Sequence, residues 1–259
     1  MAFTPQYGAY PPASAATNAA VIDTGLRAYM LRVYNWMSSG LVLTGVVAYA
    51  IASIPGLHVL FFRDVVGQFG QIAHEQPTAL AMIAVFAPLG FVLVLSLGVN
   101  KLSTTAAQTL FWLFCGVMGA SLSSIFIAYT SESIYRVFFI TAGTFGAMSL
   151  WGYTTKSDLS RMGSFLMMGL VGIIIAGLVN FFLQSSALQF AISLIGVMVF
   201  TGLTAYDTQR IKADYVQFAY AAGMDGANKR SVYDALSLYL NFINLFMLLL
   251  QLLGNRNNN

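Results

Sequence analysis

Few side chains in this 259-residue sequence could hold a proton or a cation inside an apolar segment, and Asp207 stands out among them. It ends the run "GLTAYD", with Arg210 one turn later. Two readings are open for it. It is a hydrated carboxylate at a helix end, paired with Arg210 or Arg230, or it is a carboxylate at the mouth of a path for protons or cations. An ionisable group at membrane depth costs about 2.5–3.5 kcal/mol on insertion scales, so its presence there points to function. Asp234 opens the last apolar segment, where a carboxylate is favoured by the helix dipole as a cap or first-turn residue. Ser237, Asn241, Asn244 and Gln251 follow it at helical spacing, which places all five on one face. In lipid such a face must turn inward. Thr201, Thr204 and Asp207 form a shorter polar stripe one segment earlier. Two stripes meeting beside Asp207 would make a wet crevice with an acidic mouth. The asparagines fit either interhelical hydrogen bonding or cation ligation.

Other chemistries lack their residues. There is no Gly-x-Ser-x-Gly elbow, and "HEQPT" lacks the second histidine of a zinc-protease helix. His58 and His74 fall in one loop, and Lys101, Lys156, Lys212 and Lys229 lie at segment ends or in loops. No buried lysine is available for a Schiff base, no glycine-rich phosphate loop is present, and no basic patch suits nucleic acid. The sequence reads as a non-enzyme with no bound cofactor. The lone Cys115 excludes an internal disulfide.

The elements that must position Asp207 follow from hydropathy. Hydrophobic residues make up 58% of the chain and charged residues 8%, against about a quarter charged in soluble domains. The surface must therefore face a lipid bilayer, and the fold class is an all-α membrane protein. Spans of about 20 apolar residues predict seven transmembrane helices, near 30–53, 79–99, 107–129, 134–154, 162–184, 187–206 and 233–253. The segment between the first two is too polar to span and reads as an amphipathic piece lying in the interface. With the N-terminus cytoplasmic, nine basic residues fall inside: Arg27, Arg32, Lys101, Lys156, Arg161, Arg210, Lys212, Lys229 and Arg230. Only Arg63, Arg136 and Arg256 fall outside, along with the C-terminus. Residues 1–27 read as a disordered cytoplasmic tail without a signal-peptide pattern, 28–254 as the membrane domain and 255–259 as a short C-terminal tail. Small residues in "TAGTFGAMSLWG", with Gly172, Ala176 and Asn180 beyond, mark helix–helix contacts.

"GLTAYDTQRIK" followed by "ALSLYLNFINLFMLLLQLLG" resembles the sixth and seventh helices of the Bax inhibitor-1 family, the transmembrane BAX inhibitor motif proteins. "FITAGTFGAMSLWGYTTKSDLSRMGSFLMMGLVGIIIAGLVNFF" resembles its fourth and fifth. The likeness covers about residues 28–254 and is greatest to bacterial members, which implies a bacterial inner (plasma) membrane. It also implies a bundle of six helices around a polar seventh, and a calcium or cation leak governed by pH. In the family, an aspartate at the position of Asp207 shares a proton with a second aspartate on the seventh helix, and ionisation of the pair changes a latch at the cytoplasmic mouth. Two touching carboxylates cannot both ionise cheaply, which is what makes such a pair a pH sensor. Here the second position is Asn241, an amide that can offer a carbonyl to Ca²⁺ beside Asp207 but cannot release a proton. Asp234 lies two turns away, about 10 Å along a helix. The family's latch cation aligns with Lys101. Some bacterial relatives act as partners of the membrane protease FtsH, so a non-conducting regulator gripped through its N-terminal tail is the competing expectation.

Overall fold

In a computed structural model, the described residues are 13–66, 72–98, 101–218 and 223–257. Seven long helices are found among them: α1 (Ala13–Ser53), α3 (Ala79–Gly98), α4 (Thr104–Leu122), α6 (Ser131–Thr154), α7 (Ser160–Leu183), α8 (Ser186–Phe218) and α9 (Gly223–Leu253). Two short ones, α2 (Pro55–Phe61) and α5 (Ile125–Ala128), sit in connections. Six stretches are long and apolar enough to cross a membrane: Asp23–Ser53, Ala79–Gly98, Thr104–Ala128, Ser160–Leu183, Ser186–Gln217 and Gly226–Leu253. The chain is a multi-pass membrane protein. Helix α6 matches the fourth expected span in length, at 24 residues, but is not one of the six, because hydroxyls, glycines, Glu132 and Arg136 dilute its apolar side chains.

Local chemistry sets several ends. Ser103 caps α4 by accepting the Ala106 N–H at 3.2 Å, and Thr130 caps α6 by accepting that of Ser133 at 3.3 Å. Helix α7 stops where Gln184 turns left-handed (φ 50°), its N–H bonding Asn180 O while the Asn180 side chain receives the Ser185 N–H. Gln209 of α8 ties down the connection between α6 and α7 by accepting the Leu159 N–H and donating to Ser157 O, both at 2.8 Å. In that same connection, hydrogen bonds from Ser160 hold the Asp158 carboxyl below its ordinary value.

Helix α9 is the most enclosed span. It packs on α1, α4, α6 and α8, while α3 packs on α4 and α7 on α8 at the periphery. Close helix approach runs through particular glycines. A Cβ on Gly152 would stand 2.2 Å from Ala205 O on α8, and one on Gly163 would stand 2.3 Å from the Tyr206 ring. The stripe read as helix contact is only partly so. Gly143, Gly146 and Gly172 have nothing within 4 Å of an added Cβ.

The segment between the first two spans differs from the amphipathic piece expected. After α2 it forms an antiparallel hairpin, β1 (Phe62–Val66) with β2 (Ile72–Pro77), in register from Phe62 opposite Pro77. The first helix begins at Ala13, inside the stretch read as a tail, whereas residues 1–12 and 258–259 of the two tails lie outside the described residues. At the other end, Asn255 O accepts the Thr130 N–H and the Asn257 N–H bonds Ala128 O, so the C-terminus is stitched to the connection between α5 and α6.

Candidate functional site

Asp207 is not at a helix end. Helix α8 continues for 11 residues, three turns, to Phe218. Arg210, Ile211, Lys212 and Asp214 belong to that continuation: charge ends the apolar run but not the helix. The Asp207 carboxylate is buried, at 7% exposure, between α8 and α9. Each of its oxygens has one partner. Asn241 Nδ2 donates to Oδ2 at 2.7 Å, and Arg210 Nη2 lies 3.0 Å from Oδ1. The Arg210 head also reaches Ser237 Oγ at 3.4 Å, and its side chain remains 38% exposed. The expected meeting of the α8 and α9 stripes is therefore present, but as an enclosed, fully partnered cluster and not as an open crevice.

Asp234 is also misplaced by the sequence reading. It lies 11 residues inside α9, so it neither caps the helix nor sits in its first turn. It is buried at 4% exposure and accepts the Tyr29 hydroxyl of α1 at 2.5 Å. Arg230 Nε stands 3.7 Å from it and another guanidinium nitrogen pairs with Asp214 of α8. The Tyr29 ring stacks on Tyr215, centroids 4.8 Å apart. Arg32 of α1 donates to Asn228 of α9. One cluster therefore joins α1, α8 and α9 at the end of the bundle nearest the helix extensions. No hydrogen bond links Asp207 with Asp234 among the described residues, so the two carboxylates do not share a proton; the charge of Arg210 acts on both.

The remaining expected residues divide. Lys101 sits exposed between α3 and α4 and forms no ion pair with Asp207; Arg210 holds that place because it is one turn away on the same helix. Asn244 turns its amide onto its own helix, at Leu240 O. Gln251 leaves the site altogether, accepting from Gln189 (2.7 Å) and Ser193 (2.8 Å) of α8 at the far end of the bundle. Three hydroxyls went unnoticed in the sequence. Tyr34 of α1 bonds Ser149 of α6, which lies 3.0 Å from Thr208, the neighbour of Asp207. Only the inward helical stripe of Leu26, Tyr29, Met30 and Val33 could have signalled that α1 contributes tyrosines to the interior.

Among the described residues no three His, Cys, Asp or Glu side chains cluster as metal ligands. Asp207, the Asn241 carbonyl after an amide rotation and Ser237 would supply a few oxygens of the 6–8 that Ca²⁺ takes. The guanidinium of Arg210 lies against the Asp207 carboxylate.

Residues 26–258 match the sequence profile of the family described as Inhibitor of apoptosis-promoting Bax1. The chain is 48% identical over 235 residues to an uncharacterized protein of Rickettsia prowazekii, covering 90% of this chain and 92% of that one. It is 46% identical over 235 residues to an uncharacterized protein of Caulobacter vibrioides, at 90% of each. Identity to the inner membrane protein YbhL of Escherichia coli is 47% over 232 residues, covering 90% and 93%.

Proposed function

Because the chain belongs to the Bax inhibitor-1 family, we propose that it gives calcium and other cations a slow, weakly selective, pH-influenced leak past Asp207. The observation that carries this reading is a buried carboxylate on α8 whose charge is met by a partly exposed arginine of the same helix. Arg210 can swing towards water without disturbing the fold, and Asp207 then faces Asn241 with an unmet charge. A hard cation is drawn to it and keeps most of its water, since the protein offers too few oxygens to replace the shell. Weak selectivity follows.

Protonation of Asp207 has two opposed effects. It dissolves the Arg210 pair, which unlatches the site, and it removes the charge that attracts the cation. With one titrating carboxylate these effects combine into a single step, and flux should rise with pH as Asp207 ionises. Asn241 follows the change: its amide donates to an ionised Asp207, and after rotation its carbonyl accepts from a protonated one. No carboxylate twin is required.

In the same reading the chain crosses a bacterial inner membrane seven times, α6 included, with the N-terminus cytoplasmic and the C-terminus outside. The packing of α6 against α8 and α9 supports its place in the bundle, and the excess of basic residues at the Arg210 end supports the orientation. The test is calcium efflux from loaded liposomes. Asp207→Asn should abolish both flux and its pH dependence, and an unchanged profile would remove Asp207 from the path.

A further inference from the structure

Helices α1 and α6 both pack on α9 but leave a cleft between them, and it opens sideways to the membrane. Three adjoining cavities run along it, of 430, 500 and 280 Å³. The first and second share Met37 and Phe145, and the second and third share Leu41, Gly45, Phe138 and Phe242, so they form one groove. Along α1 it extends from Arg27 to Tyr49, about 33 Å at 1.5 Å per residue, close to the ~30 Å of a bilayer's hydrocarbon core. Its floor is Phe242 and Phe246 of α9. Both walls are open at glycines: an added Cβ on Gly45 of α1 or Gly146 of α6 meets nothing within 4 Å. Among the described residues, no helix fills the space that those small residues leave.

The groove has a charged end. Arg27 lines it there, is exposed, and makes no ion pair or hydrogen bond through its side chain among the described residues. Tyr153 lines the same end and is held by Lys212, whose ammonium lies 2.9 Å from Tyr153 O and 4.9 Å from its ring centroid. At the opposite end the only nearby arginine on α6, Arg136, is already paired with Glu132. An apolar trough facing hydrocarbon, with a cation exposed at one end, matches a molecule with an acyl chain and an anionic head.

We propose that the cleft between α1 and α6 binds one anionic phospholipid, its phosphate on Arg27 beside Lys212 and one acyl chain lying along Met37, Leu41 and Gly146. A zwitterionic lipid would gain the trough but less from the two cations. A second copy of this chain or a foreign transmembrane helix would gain the trough and leave Arg27 unpaired.

Native mass spectrometry on the full-length protein, given equal phosphatidylglycerol and phosphatidylcholine of the same chain length, tests this. The wild-type protein should retain one phosphatidylglycerol in preference. Arg27→Gln should lower that retention about fivefold, the equivalent of ~1 kcal/mol per basic residue at an anionic surface, and leave phosphatidylcholine unchanged. Gly146→Leu, whose Cβ would meet nothing within 4 Å and whose side chain would enter the trough, should lower retention of both lipids. Lys101→Gln, a cation at the same end off the groove, and Gly172→Leu, an open glycine on α7, should match the wild type. Equal retention of the two lipids by the wild type, or no effect of Arg27→Gln, overturns the proposal. So does a lipid-free dimer that Gly146→Leu dissociates.

Discussion

The sharpest consequence of the site concerns Arg210. If its guanidinium occupies the place that a passing cation would take, Arg210→Gln should raise flux, because it removes both the latch and a like charge from the cation path. The size follows from the geometry. Two unit charges 3.0 Å apart interact by about 5.5 kcal/mol at an effective dielectric of ~20 and about 1.4 kcal/mol in bulk water. The Arg210 side chain is 38% exposed, so water screens the pair and the lower part of that range applies, about 1–2 kcal/mol. A latch of that strength holds the site shut by roughly 5- to 30-fold, at a factor of ten per 1.4 kcal/mol. Calcium efflux from liposomes should rise by that factor in Arg210→Gln at pH values where Asp207 is ionised, because no cation remains to latch it. The double variant Asp207→Asn/Arg210→Gln should be as silent as Asp207→Asn alone. Flux at or below wild type in Arg210→Gln, from protein with unchanged helicity and elution volume, would refute the latch.

Other outcomes follow from the same contacts. Asn241→Asp places a second carboxylate 2.7 Å from the first; the pair cannot ionise together, so the flux profile should show two titration steps where the wild type has one carboxylate to titrate. Gly152→Ala forces a methyl group against Ala205 O and should cost about 1–3 kcal/mol by overpacking, read as a lower Tm in detergent, while Gly45→Ala leaves it unchanged. Tyr29→Phe removes the hydroxyl that Asp234 accepts and should destabilise by about 1.5–3 kcal/mol, the range for a hydrogen bond to a charged group, measured by unfolding in the same detergent. Deleting residues 2–12 should leave flux intact; loss of FtsH association with retained flux would assign a regulatory role to the tail alone, and loss of both would break the separation of the two roles.

How much of this was legible in the sequence depends on which force set each feature. Six of the seven expected spans were legible because lipid exposure demands apolar side chains over a fixed length. The inward stripe of α9 was legible because a 3.6-residue period can be counted, whereas the pairing of Asn241 with Asp207 was implied by the family resemblance. Helix ends were not. Hydropathy stops at Asp207 and at Tyr233, whereas the backbone continues as helix through Arg210, Lys212 and Asp214 in α8 and starts at Gly223 in α9. Outside lipid, helix propensity and mutual packing decide, and Asp214, Arg230 and Asp234 are recruited into a cluster that no hydropathy count reveals. Glycine spacing was ambiguous for a different reason. It marks a face that can be approached closely, and Gly152 is so approached, but the same pattern at Gly146 fronts an empty trough.

The claim that matters most is that a cation meets the Asp207 carboxylate. Infrared difference spectroscopy on reconstituted protein, recorded on adding Ca²⁺, observes that group directly. A carboxylate stretching change present in the wild type and missing in Asp207→Asn is the predicted result; identical calcium-induced spectra from the two proteins would contradict it.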